Sequence, residues 1–337
     1  MELAAKILPP EAKEVETVYV GGGTPTCLPA RDLEAIFSSC RQCFSFLPEA
    51  EISVEANPGT LDESRLAALK RSGVNRLSIG VQACQDRLLA LLGRAHTFVQ
   101  AKNAVRMARA AGFANLNVDL IFGLPGQAPE DWEESLREVL RLAPEHVSVY
   151  GLQLEEGTPL WTDAKEGRVV PCSEEAELAM YGRAIELLTA AGYEHYEISN
   201  FSLPGRQCRH NLRYWRNLPY LGFGPAACSF WGNCRYGNEK SLFRYRARVE
   251  AGELPVAEKE ELDLNTIMKE TVFLGLRMIR GVDLRDFARR FGRKLEDVFP
   301  DQVTRLARLG LVELKEGFLC LTGRGLPVAN RVFAEFV

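Results

Sequence analysis

The residues best equipped for chemistry stand just after short β-like runs. The run at 15–20 (VETVYV) leads straight into Gly21-Gly22-Gly23-Thr24-Pro25-Thr26. Three glycines there let backbone N–H and C=O groups approach a ligand closely, because no side chain intervenes. Glu55 closes the run at 52–55, Gln82 follows the run at 76–79, and Asp119 lies within the run at 116–121. That run ends at Gly123-Leu124-Pro125-Gly126, and the run at 147–150 ends at Gly151-Leu152-Gln153. The glycine segment lacks the Lys-Ser/Thr of a phosphate-binding P-loop and does not match G-x-G-x-x-G. Taken alone it also reads as a tight strand-to-helix turn. A carboxylate and an amide at neighbouring strand ends strengthen the binding reading.

Helical patterns fill the gaps, at 58–71, 97–111 and 129–142, with Gly73 and Gly112 placed where a left-handed turn ends a helix. The expected fold is therefore α/β, built from repeated βα units whose polar strand ends open onto one face. A helix at 173–191 and a further strand at 193–198 follow. Residues 199–240, rich in Asn, Arg, Gly and aromatics, read as functional loops. From about residue 262 the pattern turns helical, at 265–278, 283–291 and 301–309, before a hairpin of 311–314 with 318–321. Helices capped by a two-stranded wing resemble a winged helix. Arg305 and Arg308 alone supply basic charge on its third helix, with acids nearby, so a structural or docking role is expected rather than DNA binding.

The 337-residue chain can bury a large core, and its net charge of −4 with interspersed signs argues against broad nucleic-acid binding. No apolar run approaches a membrane span, and the N-terminal residues lack the apolar core of a signal peptide. Nine cysteines without a disulfide framework point to a reducing, cytoplasmic setting.

Nine segments occur in a telling order: GGGTPT, SVEANPGT, NRLSIGVQ, LLGRAHT, NVDLIFGLPGQ, SVYGLQLEEGTPL, HYEISNF, RHNLRYW and YLGFGPAA. Together they resemble the radical S-adenosylmethionine family around oxygen-independent coproporphyrinogen III oxidase, and within it the heme-chaperone branch. The resemblance implies a partial (β/α) barrel lacking its first strand, followed by a small winged-helix-like helical domain. The expected division is a barrel over 1–170, a barrel-completing strand and heme-motif region over 171–260, and the C-terminal domain over 261–337.

The same resemblance implies that Gly22, Gly23 and Thr24 receive the methionine amino end of S-adenosylmethionine. Glu55, Gln82 and Asp119 match the family's polar cofactor positions, and Arg94 matches the arginine that pairs with the cofactor carboxylate. Structural carboxylates holding loop N–H groups are the bland alternative for Glu55 and Asp119. The segment His210-Asn211-Leu212-Arg213-Tyr214-Trp215 matches the HNxxYW motif that sets heme chaperones apart from the oxidase. It implies His210 as an axial ligand to heme iron, with Tyr214 and Trp215 as flat apolar surface. Arg209, Arg213 and Arg216 are candidate partners for the heme propionates, and Cys208 is a nearby thiol.

One departure matters. The family holds a 4Fe–4S cluster with a CxxxCxxC motif that this sequence does not contain. Cys40 and Cys43 make only a pair, expected on a helix. Radical chemistry is therefore not expected of this chain, which we expect to be a piece of a longer protein. The functional expectation is a heme chaperone that hands heme to an acceptor, such as a membrane-associated respiratory protein. The alternative class is an oxidase that converts coproporphyrinogen propionates to vinyl groups, and a third is a degenerate fragment with a binding role only. Neither acceptor nor oligomeric state is readable.

Overall fold

The computed structural model describes residues 1–10 and 13–337. It divides into two compact units, one of Val15–Gln42 with Phe46–Gln207, the other of Met1–Glu14 and Cys43–Ser45 with Cys208–Val337.

The first unit is built on a seven-stranded sheet. Its strands are β1 (Glu14–Val20), β2 (Ser45–Ala56), β3 (Arg76–Gln82), β4 (Leu116–Phe122), β5 (His146–Gly151), β6 (Glu194–Glu197) and β7 (Asn200–Ser202). Their order is β1-β2-β3-β4-β5-β7-β6. The pairings from β2 to β5 are parallel, and β7 joins β5 and β6 antiparallel. Parallel neighbours require crossovers, and the helices Glu63–Arg71, Phe98–Ala110 and Pro129–Arg141 supply them. Their starts are written locally: the Asp62 side chain accepts from the Arg65 N–H, Thr97 and Gln100 form a capping box, and Pro129 opens the third helix.

Side chains alternate across each strand. Leu77, Ile79 and Val81 on β3, Leu116, Val118 and Leu120 on β4, and Val147 and Val149 on β5 join one apolar core with Leu66, Leu69, Val105 and Trp132 of the helices. The residues between them are polar. Register aligns Glu55, Ser78, Asn117, His146 and Ser202 in one row, and Gly80, Asp119, Ser148 and Asn200 in the next. One face of the sheet is thus hydrophobic scaffold, and the other is a polar surface.

In the second unit, residues 208–240 are more regular than their composition suggests. They include a helix, Arg209–Trp215, and two strands, β8 (Cys228–Trp231) and β9 (Cys234–Asn238); β9 pairs with both β8 and β10 (Val256–Glu261). The β8–β9 hairpin turns on Gly232 and Asn233, both at positive φ, the primed-turn geometry that such a dipeptide favours. Helix Leu264–Gly275 follows, its Asp263 cap accepting from the Thr266 N–H. The chain then forms β11 (Val282–Asp283), helices Leu284–Phe291, Leu295–Val298 and Pro300–Arg308, and the hairpin β12 (Val312–Lys315) with β13 (Phe318–Leu321). The sheet order β11-β13-β12 completes the winged arrangement. Arg305 on the third helix is ion-paired with Glu335.

Candidate functional site

At the end of β1 the glycine turn and Glu55 meet. One carboxylate oxygen of Glu55 accepts from the Tyr19 hydroxyl at 2.8 Å, and the other accepts from the Gly22 N–H at 3.1 Å. Gly21 makes this possible: a Cβ there would stand 2.7 Å from the Tyr19 ring and 2.9 Å from Glu55. Gly22 and Gly23 both hold positive φ, which fits glycine. Burial first, and the Glu55 charge second, push the Tyr19 hydroxyl pKa up, so Tyr19 stays a neutral donor.

Gln82 ends β3 at a register shift and has a positive φ of 74°, unusual for a side chain of its length. Its amide lies 2.7 Å from where a Cβ of Gly80 would be, so glycine leaves it room. Asp119 accepts from Asn117 Nδ2 at 2.7 Å and from Ser78 Oγ at 3.1 Å. Burial raises its pKa, against those hydrogen bonds, and the Glu55 charge adds to the rise. Two neighbouring carboxylates, Glu55 near the end of β2 and Asp119 midway along β4, suit a cationic ligand.

Behind Asp119 runs a chain of hydrogen bonds that sequence reading did not anticipate. Asn117 Oδ1 accepts from Nδ1–H of buried His146 at 2.6 Å and from Ser148 Oγ at 3.2 Å. His146 Nε2 in turn accepts from the Tyr196 hydroxyl at 2.8 Å. Burial holds the His146 pKa well below its ordinary value, so the ring is neutral. The signal for Asn117 was present in the two-residue spacing that puts it on the same face as Asp119. Arg94 is exposed, just beyond helix Asp86–Leu91. Beside it, buried His96 places Nε2 3.3 Å from the Val81 carbonyl, and burial lowers its pKa.

The HNLRYW segment is a single helix, Arg209–Trp215, with buried Cys208 at its N-cap. His210 and Tyr214, one turn apart, meet edge to face, with His210 Nε2 2.9 Å from the Tyr214 hydroxyl. Ligation of a metal by that nitrogen must replace this hydrogen bond. Tyr214 packs edge-on against Tyr220 at 4.6 Å between centroids. Burial pushes the Tyr214 hydroxyl up to about 12. Of the candidate arginines, Arg213 donates to the Pro219 carbonyl, while Arg209 and Arg216 are exposed.

The winged domain anchors this helix. Asn217, at positive φ just past the helix end, donates toward Thr271 Oγ1 at 3.2 Å. Arg290 donates to the carbonyls of Arg216 and Asn217. The Arg277 guanidinium covers one face of the Trp215 ring at 4.3 Å. Arg277 and Arg290 lie more than sixty residues from the motif, and no local pattern marks them.

The cysteines do not converge. All nine are free thiols, with Cys40 and Cys43 on helix Ala30–Cys43. Among the described residues no three His, Cys, Asp or Glu side chains are placed to hold a metal ion. The donors an iron–sulfur cluster needs are therefore not assembled by these residues.

The polar-faced α/β sheet, with glycine, carboxylate and amide groups at and near its strand ends, fits the radical S-adenosylmethionine class that the sequence motifs resemble. The model of the Radical SAM superfamily matches residues 2–139, and that of the HemN C-terminal domain matches residues 262–328. The solved structure described as coproporphyrinogen III oxidase (HemN) from Escherichia coli superposes with a TM-score of 0.82 at 26% identity, over 96% of this chain and 78% of that one. The heme chaperone HemW of Bacillus subtilis is 36% identical over 96% of this chain and 86% of its own length. HemW of Lactococcus lactis is 35% identical over 97% and 86%. The chain belongs to the HemW heme-chaperone family of radical SAM proteins.

Proposed function

We propose that this chain binds heme and passes it to a heme-requiring acceptor, with His210 as the iron ligand and Tyr214 and Trp215 beside the macrocycle. The observation that carries this reading is the motif helix itself, held through Asn217 and by Arg277 and Arg290 of the HemN C-terminal domain. An imidazole backed by a tyrosine hydroxyl, next to apolar rings, is suited to iron in a flat apolar ligand. The acceptor is expected to be a heme protein, membrane-associated respiratory proteins being one class, and the setting cytoplasmic. No helix among the described residues is long and apolar enough to cross a membrane.

For S-adenosylmethionine, Gly22, Gly23 and Thr24 would hold the amino end, Arg94 the carboxylate, and Glu55, Gln82 and Asp119 the remaining polar groups. The carboxylate pair and the open backbone of the glycine turn support that fit. When bound, that molecule supplies a sulfonium whose reductive cleavage needs an electron donor. Glu55 keeps the glycine turn in place, Asn117 and Ser78 aim Asp119, and Tyr19 stays protonated.

The fold match to coproporphyrinogen III oxidase favours a second reading, oxidative decarboxylation of a porphyrinogen. The curated relatives, which are named heme chaperones, count against it.

The test is an absorbance titration with heme of the chain and of His210→Ala. Saturable Soret binding that weakens in the variant by about tenfold or more, equivalent to ~1.4 kcal/mol, is expected. Equal binding by both would remove His210 from the iron.

A further inference from the structure

In the winged unit some arginines stack on aromatic rings without an ion pair among the described residues, Arg277 and Arg280 among them. Several of the unit's other arginines are engaged: Arg235 with Glu260 and Glu270, Arg248 with Glu253, Arg290 with two backbone carbonyls. Arg277 has no ion pair among the described residues, and its guanidinium carbon lies 4.3 Å over the Trp215 ring. Within this stack, Arg277 Nε and Trp215 Nε1 are both buried donors without a hydrogen-bond partner. Buried N–H groups are nearly always satisfied, so two orphaned on adjacent groups call for an acceptor.

The acceptor's chemistry follows from the donors. One is cationic and planar, the other neutral, and the stack holds both side chains in place. Neither group can accept a hydrogen bond. A carboxylate supplies two acceptor oxygens and the missing negative charge, and arginine binds it through charge-assisted bonds. The motif helix adds a positional argument. His210 and Trp215 are separated by about 7.5 Å along the helix axis. A heme places its iron at the centre and its carboxylates on the rim, so iron ligand and carboxylate receptor must be set apart.

We propose that Arg277 and the Trp215 indole N–H form the receptor for a heme propionate. This rests on the heme reading above, and assigns the cargo's carboxylate to residues outside the HNLRYW motif.

The full chain and three variants, Arg277→Gln, Trp215→Phe and Arg280→Gln, are titrated with heme and with heme dimethyl ester. Arg280 is the control, since it also stacks on an aromatic ring, that of Phe318, but has no orphaned buried donor. The unaltered chain should bind heme about tenfold more tightly than the diester. Arg277→Gln should abolish the acid preference, so that heme and the diester bind it equally, whatever change both affinities share from the loss of the stack on Trp215. Trp215→Phe, which keeps an aromatic ring and loses the N–H, should lose part of the preference, and Arg280→Gln none. Equal affinity of the unaltered chain for acid and diester overturns the receptor while leaving heme binding intact, and that arm needs no variant to fold. A full acid preference retained in Arg277→Gln overturns it as well. Saturable binding of neither porphyrin overturns the heme reading and the receptor together.

Discussion

The hydrogen-bond relay around Asn117 and the motif helix place buried polar groups in opposite ways. Asp119 sits at the head of a closed relay, in which Asn117, Ser78, Ser148, His146 and Tyr196 supply one another's hydrogen bonds. At the motif helix, Trp215 and Arg277 stack with donors left over. Strand register sets the first arrangement, since residues on neighbouring strands meet in rows whatever their sequence distance. The second depends on a side chain brought in by the turn that follows helix Leu264–Gly275. A saturated network stiffens a scaffold, whereas an unsaturated pair is poised for a ligand.

The largest effect should come from cutting the relay at its centre. Asn117→Leu keeps the approximate volume but strips partners from His146, Ser148, Ser78 and Asp119 at once. A loss of about 3 kcal/mol in urea unfolding is expected. A loss below about 0.5 kcal/mol, the scale of ordinary surface substitutions, would show that the network is not a structural unit.

On the other side, Asn217→Ala removes the amide that reaches Thr271 and asks alanine to hold a left-handed backbone. The expected loss is about 2 kcal/mol. Heme affinity should fall with it, because the helix carrying His210 loses an anchor. Unchanged heme binding with lowered stability would separate the anchor from the site.

A pH series isolates His146. Its folded pKa lies well below the ordinary 6.5, so below that pH the unfolded chain takes up a proton that the folded chain refuses. Its contribution is therefore fully present above pH 6.5 and is lost as pH falls toward the depressed folded value. The slope attributable to one such histidine is up to ~1.4 kcal/mol per pH unit. Half-buried His195 and buried His96 shift the same way, so His146→Gln should make the acid limb shallower rather than flat. An unchanged slope would mean that His146 is not the neutral link of the relay.

Much of the sheet was legible because its signals are local. The glycine turn, the capping residues at 62 and 97, and the alternation along β3 to β5 all act over a few residues. The residues Glu55, Gln82 and Asp119 stood out for the same reason. Residues 199–240 were harder to read. Their Gly232-Asn233 hairpin signal was present but lay among short polar strands, and β10 reaches its partner only after an intervening helix. Two features had no local trace at all: the anchoring of the motif helix by Arg277 and Arg290, and the identity of His146 as a relay member. Both depend on tertiary meeting of distant residues, which composition and spacing do not encode.

The smallest expected effect bears on whether the carboxylates of the sheet belong to scaffold or site. Tyr19→Phe keeps the ring and removes the hydroxyl that donates to Glu55. The Gly22 N–H still holds the other carboxylate oxygen, so the turn should persist and stability should fall by about 1 kcal/mol or less. If Glu55 is only a clasp for the glycine turn, S-adenosylmethionine affinity by equilibrium dialysis should track that small loss. If Glu55 serves the ligand, the oxygen released from Tyr19 becomes available to it, and affinity should hold or rise while stability drops. Glu55→Gln, which keeps an acceptor but removes the charge, should then weaken binding more than Tyr19→Phe does. The reverse order would place Glu55 with the saturated scaffold, alongside Asn117 and His146.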